Sequence, residues 1–141
     1  MTIWHKLKSD RSQRDILEGA IKAAASAPDW ADEHPGALDG VTYLLTETQS
    51  LSDKRNDAIH APCHVLPGAT EFEIAPISFF GNPRAQKLVR KDILSEFDWY
   101  ERWADALKWH ATEVRFALDS NIRTWPEKPS RPNRGQAGSR G

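Results

Sequence analysis

The segment Arg55-Asn56-Asp57-Ala58-Ile59-His60 contains the residue types from which a metal-independent site for phosphodiester cleavage can be built. The guanidinium of Arg55 can bind two phosphate oxygens and stabilise the charge that develops on them. The imidazole of His60 belongs to the side-chain type that most often serves as a general acid or base, and it can remove or deliver the proton of a ribose hydroxyl. Asn56 can fix the orientation and tautomer of that ring. We therefore predict Arg55, Asn56 and His60 as catalytic residues of RNA cleavage by attack of the 2′-hydroxyl on its own phosphate.

This chemistry needs a helix that presents the three side chains together. Asn56 and His60 are four residues apart and share one helix face, whereas Arg55 lies about 140° from His60 around the axis. A long arginine side chain near a helix end can still curl toward the imidazole. Apolar residues recur at helical spacing from Ala37 onward, and Pro62 ends the pattern because the residue before proline is disfavoured in the α region. The sequence thus predicts a helix over 37–60 with His60 in its last turn.

Two further helices are predicted around it. The first runs from about Asp10 to Ala27 and is followed by a loop over 28–36 that begins at Pro28. The other has the strongest pattern in the chain, an apolar seam with alternating spacings of four and three residues. The seam consists of Ile93, Phe97, Tyr100, Ala104, Leu107, Ala111, Val114 and Leu118. The predicted fold class is therefore all-α, a small antiparallel helical bundle.

Two segments lack such patterns. Residues 62–83 are punctuated by proline and glycine and are predicted to form an irregular loop. Residues 125–141 are rich in proline, arginine and glycine and are predicted to be a disordered tail that follows a helical domain at 1–124. The basic residues Arg131 and Arg134 in the tail, with Lys54 beside the candidate site, are the predicted RNA-phosphate contacts.

The pattern Arg-Asn-x-x-x-His at the end of an amphipathic helix resembles the HEPN superfamily of helical bundles. Residues 38–61 resemble the family's motif helix, and the helix after Asp92 resembles the one that packs back on it. By position, Arg55 and His60 match the family's two catalytic residues, and Asn56 matches the polar residue after the arginine. The resemblance implies an RNase that acts as a homodimer, in a toxin–antitoxin or phage-defence system with an antitoxin partner. The family bundle usually has at least four main helices, whereas three are predicted here.

Composition limits the alternatives. No apolar run is long enough for a membrane span, the N-terminus has no apolar stretch of a secretion signal, and Cys63 is the single cysteine, so we expect a soluble cytoplasmic protein. The formal net charge is −1, although the tail after Trp125 has four basic residues against one acidic residue. His60, Cys63 and His64 are close in sequence, but Pro62 interrupts them and no second ligand cluster is evident, so no metal or cofactor is predicted.

A second function from another class fits the same sequence. The wide apolar stripe over 93–118 is also expected of a non-catalytic helical module that dimerises or binds a partner through this helix. In that case Arg55 would pair with an acid such as Asp53, and His60 would simply occupy a helix end.

Overall fold

The computed structural model describes residues 10–61, 63–67, 72–76, 82–89, 91–119 and 124–134. The fold is helical, as predicted, and three long helices carry most of it. The elements in chain order are α1 (Asp10–Ala25), α2 (Pro28–Glu33), α3 (Ala37–His60), β1 (Cys63–Pro67), β2 (Phe72–Pro76), α4 (Pro83–Gln86) and α5 (Ile93–Asp119). Their described residues form two compact units, one within Met1–Thr48 and Leu107–Pro129 and the other within Gln49–Ala106 and Ser130–Gly141.

Helix α3 has the bounds predicted from the sequence, Ala37–His60. It begins directly after Gly36, whose φ of +92° is a conformation that L side chains rarely adopt. A Cβ added at Gly36 would also lie 3.0 Å from Cδ1 of Trp125, so glycine is required there on two grounds. His60 is the last helical residue, as expected from the proline that follows two positions later.

Helix α5 begins at a side-chain cap. The carboxylate of Asp92 accepts hydrogen bonds from the backbone N–H groups of Leu94 (3.3 Å) and Ser95 (3.0 Å) and from the Ser95 hydroxyl. The hydroxyl bond in particular, with the two backbone bonds, lowers the pKa of Asp92 against the opposing effect of burial. From this start the helix runs 27 residues, which confirms the long helix predicted from the apolar seam.

Two of the predicted loops contain regular structure. Pro28 begins α2 within the predicted loop 28–36, since proline at the first helical position lacks only an N–H that would have no partner there. In the predicted irregular loop 62–83, β1 and β2 form an antiparallel pair that aligns Cys63 with Pro76 and Pro67 with Phe72. The pairing joins backbone N–H and C=O groups of the two segments that an irregular loop would leave to water or side chains.

The first unit has a small apolar core. Its buried residues are Ile21, Ala37, Val41 and Val114, and the partly buried Trp30, Leu44, Leu45, Leu118 and Trp125 pack against them. They come from α1, α2, α3, α5 and the segment after α5. Within the second unit, the buried apolar residues are Ala58, Ala61, Ala85, Leu88, Ile93, Trp99, Tyr100 and Trp103. Trp103 is only 1% exposed.

The prediction of a disordered tail from residue 125 does not hold for 125–134. In the first unit Trp125 packs on the core, and the Tyr43 hydroxyl donates a hydrogen bond to the carbonyl of Pro129 at 2.9 Å. In the second unit the Trp99 indole N–H donates to the carbonyl of Pro132 at 2.7 Å. The segment is held by its backbone carbonyls and one indole ring, contacts that its proline-rich composition does not reveal. Residues 135–141 lie outside the described part of the chain.

Across the residues that the structure describes, no helix combines the length and the apolar character needed to cross a membrane.

Candidate active site at the end of helix α3

Arg55, Asn56 and His60 all lie on the outward surface of the last turns of α3 and are exposed. The inward face of this segment is marked by Ala58 of α3 and by Ala61 directly after the helix, which are 4% and 8% exposed. Within the described part of the chain, the three candidate side chains form no hydrogen bond or ion pair. Arg55 and Asp53 form no ion pair in the described structure, and the Asp53 carboxylate accepts a hydrogen bond from the Gln49 amide at 2.7 Å.

The acidic residue within the motif is neutralised by two cations, one from α4 and one from the residue that directly follows α4. The carboxylate of Asp57 lies 2.6 Å from Nζ of Lys87 and 3.9 Å from Nε of Arg84. Both basic side chains are about half exposed or more, at 64% and 49%. With two cations against one carboxylate, this group gives the end of α3 a net positive flank, which favours an anionic ligand.

Sequence reasoning missed Arg84 and Lys87. The only local signal is Asn82 before Pro83, because the Asn82 side chain accepts hydrogen bonds from the backbone N–H groups of Arg84 and Ala85 and thereby starts α4. That signal predicts a short helix, but it does not predict the contact of Lys87 with the carboxylate of Asp57, 30 residues earlier in the chain.

A cavity of about 330 Å³ opens beside Arg55. Its apolar wall is formed by Leu51, Phe97, Tyr100 and Ala104, and its acidic wall by Asp98 and Glu101. Two carboxylates repel a phosphate group, so the cavity itself is a poor place for one.

The three predicted RNA contacts, Lys54, Arg131 and Arg134, lie in different surroundings. Nζ of Lys54 lies 5.3 Å from the centre of the Trp99 ring, and the guanidinium of Arg134 lies 4.6 Å from that ring. Arg134 also forms an ion pair with Glu96. Arg131 is exposed. Lys54 and Arg134 thus both lie close to the Trp99 ring, and Arg134 also forms an ion pair with the Glu96 carboxylate.

Glu96 is the buried centre of this cluster, with only 7% exposure. It also accepts a hydrogen bond from the Tyr100 hydroxyl at 3.1 Å and has Nζ of Lys91 at 3.6 Å. Burial, followed by the charge of Glu96, raises the pKa of Tyr100. The phenol is therefore a hydrogen-bond donor at neutral pH, and the arrangement serves to hold Arg134 and a buried carboxylate in place.

The width of the apolar stripe on α5 suggested a surface for a partner, but part of this stripe is buried within the chain itself. Tyr100, Trp103 and Leu107 are 4%, 1% and 3% exposed, so the chain itself covers them. The large apolar side chains that α5 leaves exposed among the described residues are others: Leu94 at 53%, Trp109 at 72% and Phe116 at 59%.

No group of three or more metal-binding side chains occurs in the described ranges. The exposed Cys63 thiol lies 3.4 Å from the carbonyl of Ala61. For His64, the third member of the sequence cluster, the structure describes only the backbone, within β1.

Comparison with family models, with curated proteins and with solved structures found no match to this chain.

Proposed function

We propose that this protein is a metal-independent endoribonuclease of HEPN type in which Arg55 and His60 cleave RNA. The observation that carries the proposal is that Arg55, Asn56 and His60 are exposed in the last turns of α3, where their side chains form no hydrogen bond or ion pair with the described residues. Side chains with structural roles are commonly paired or packed, as Asp57 and Glu96 are here. Three polar groups of complementary chemistry that the fold leaves open are available to a ligand.

In the proposed reaction the ribose O2′ attacks the adjacent phosphorus while the bond from phosphorus to O5′ breaks. The 2′-hydroxyl gives its proton to a base, and O5′ receives a proton from an acid. The products are a 2′,3′-cyclic phosphate and a 5′-hydroxyl. His60 supplies one of these proton transfers, and Arg55 stabilises the added negative charge on the phosphate oxygens in the transition state. Arg84 and Lys87 would attract the RNA backbone to this end of the helix.

The resemblance of 38–61 to the HEPN motif helix supports the same chemistry from a different direction. It further implies a toxin–antitoxin or phage-defence role and an antitoxin partner, and we include these in the proposal as predictions, together with the cytoplasmic location expected from composition. The three long helices fit the order on which the resemblance was based.

The direct test is to incubate purified full-length protein with single-stranded RNA in EDTA and to determine the product ends. We expect cleavage that the chelator does not reduce, with 2′,3′-cyclic phosphate at one end and a 5′-hydroxyl at the other. Arg55→Ala, purified identically, controls for contaminating nuclease. Activity that disappears in EDTA and returns with a divalent ion would overturn the metal-independent mechanism.

We also propose that the active unit is a homodimer. Cleavage needs both a base and an acid, and among the three histidines whose side chains the structure describes (His34, His60 and His110) only His60 is exposed. A two-fold axis near the motif would supply the second imidazole from the same residue of the partner, since such an interface repeats each contact.

Mixing wild-type protein with a tenfold excess of His60→Ala chains tests the dimer. Under conditions of subunit exchange, nearly every wild-type chain would then have an inactive partner. Activity per wild-type chain should fall about tenfold if the site is shared between two chains. Constant activity per wild-type chain, or an active monomer in sedimentation, would contradict a shared site.

A non-catalytic interaction module remains the second candidate, and one observation favours it. Trp109 and Phe116 are seven residues apart on α5, so they share a helix face, and both are largely exposed. Exposed aromatic pairs of this kind are typical of protein-binding surfaces. RNA left intact by the wild-type protein, together with a change in sedimentation on Trp109→Ala, would favour this function.

A further inference from the structure

The first unit contains a second cavity that the proposed RNase chemistry does not use. Its volume is about 580 Å³, within the range of small-molecule sites. It is lined by Lys22, Ala25, Trp30, Ala31, His34, Gly36, Leu38, Asp39 and Thr42. We propose that this cavity binds an uncharged, planar heteroaromatic molecule through the Trp30 ring and a hydrogen bond from His34.

The walls favour a flat apolar ligand. Trp30 is partly buried and packs on the core, so its indole is held in place while part of it remains accessible. Its ring centre lies 4.8 Å from that of His34, with the planes tilted by 46°. Ala25, Ala31 and Leu38 complete the apolar lining. A fixed aromatic ring beside small aliphatic side chains favours a ligand that presents a ring face or edge.

The two charged groups of the lining are already paired. Nζ of Lys22 lies 2.5 Å from the carboxylate of Glu18, and the carboxylate of Asp39 lies 2.7 Å from Nζ of Lys128. A charged ligand would have to compete with these partners or be desolvated without compensation. The cavity therefore selects for a neutral molecule.

His34 provides the polar anchor. The residue is only 8% exposed, and its Nδ1 is sealed from solvent without a hydrogen-bond partner. The other ring nitrogen, Nε2, also has no hydrogen bond to any described residue, but it is not fully buried. Nε2 therefore lies at the accessible edge of the ring. A buried N–H without an acceptor is more costly than an unpaired ring lone pair, which places the proton of the neutral ring on Nε2. His34 thus donates, and the ligand must offer an acceptor such as a ring nitrogen or a carbonyl oxygen.

The test compares two bicyclic probes of similar size, quinoline and indole, against the full-length protein at pH 7.5. Quinoline has an acceptor nitrogen, whereas indole has only a donor. We expect quinoline to bind with a Kd of about 0.1–1 mM by ligand-observed NMR. One hydrogen bond corresponds to a preference of about three- to tenfold over indole. In protein labelled with ¹⁵N-histidine, quinoline should shift the His34 ring signals.

Three variants locate the binding. His34→Leu should remove the preference for quinoline, and Ala31→Trp, which fills the cavity without removing any anchor, should abolish binding of both probes. Trp109→Ala, at an exposed aromatic residue that does not line the cavity, is the matched control and should bind as wild type does. Equal affinity for the two probes, binding that survives Ala31→Trp in a folded protein, or no binding at 5 mM (about five times the weakest expected Kd) would each overturn the proposal.

Discussion

Removing residues 125–141 is expected to lower the free energy of unfolding by at least about 4 kcal/mol. The truncation takes Trp125 off the core of the first unit, and loss of a large packed aromatic side chain costs about 3 kcal/mol or more when it is well buried. It also removes Arg134 from Glu96, which is 7% exposed and would be left as a buried carboxylate with one cation at 3.6 Å. Breaking a buried pair costs about 3–5 kcal/mol. Because Trp125 is only partly buried and the Arg134 side chain is 45% exposed, both contributions are discounted, and the expected loss of at least about 4 kcal/mol lies below the sum of the two full values.

Chemical denaturation of the truncated and full-length chains measures this difference. Truncation after Arg134 is the matched control, because the residues it removes are polar or small and include no large apolar side chain. The control should melt within about two degrees of the full-length protein. Trp125→Ala and Arg134→Ala separate the two contributions. Equal stability of the two truncated chains would show that residues 125–134 contribute nothing to the fold.

The largest effect on activity is expected at His60. His60→Ala should reduce RNA cleavage by about 10²- to 10⁴-fold, the usual contribution of a general acid or base. Its side chain is exposed and has no hydrogen bond or ion pair with any described residue, so the melting temperature should change little. Arg55→Lys should also lose most of the activity, because a single ammonium cannot bind two phosphate oxygens as a guanidinium does. Ile59→Ala, at the neighbouring helix position and 46% exposed, is the matched control and should keep full activity.

Much of the helical fold could be predicted because its signals are local. Pro62 and the apolar spacing after Gly36 define α3, and the seam from Ile93 onward defines α5. The contacts that hold residues 125–134 could not be predicted from local signals. Tyr43 and Trp99 lie 86 and 33 positions from the carbonyls of Pro129 and Pro132 that accept their hydrogen bonds. Such distant partners leave no pattern in the segment itself.

In the candidate site, too, the features set by local spacing could be predicted, whereas contacts between distant residues could not. A four-residue spacing on a helix places Asn56 and His60 on one face, and the proline after the helix predicts His60 at its end. The sequence does not reveal that Lys87 and Arg84 neutralise Asp57. It also does not reveal which part of the apolar stripe remains exposed. The buried Trp103 and the exposed Trp109 are both tryptophans of α5, and the neighbours that cover the first are set by the tertiary fold.

The cleavage rate of the His60→Ala chain relative to wild type tests the central claim most directly. It is measured in EDTA on the same RNA at equal folded concentration, with protein in excess so that a single turnover is followed. If the end of α3 catalyses the cleavage, the His60→Ala chain should cleave RNA at a rate at least about a hundredfold below that of wild type. The Ile59→Ala control should keep the wild-type rate and the wild-type product ends. If folded His60→Ala protein cleaves RNA at the wild-type rate, the imidazole takes no part in the reaction and the proposed site is wrong.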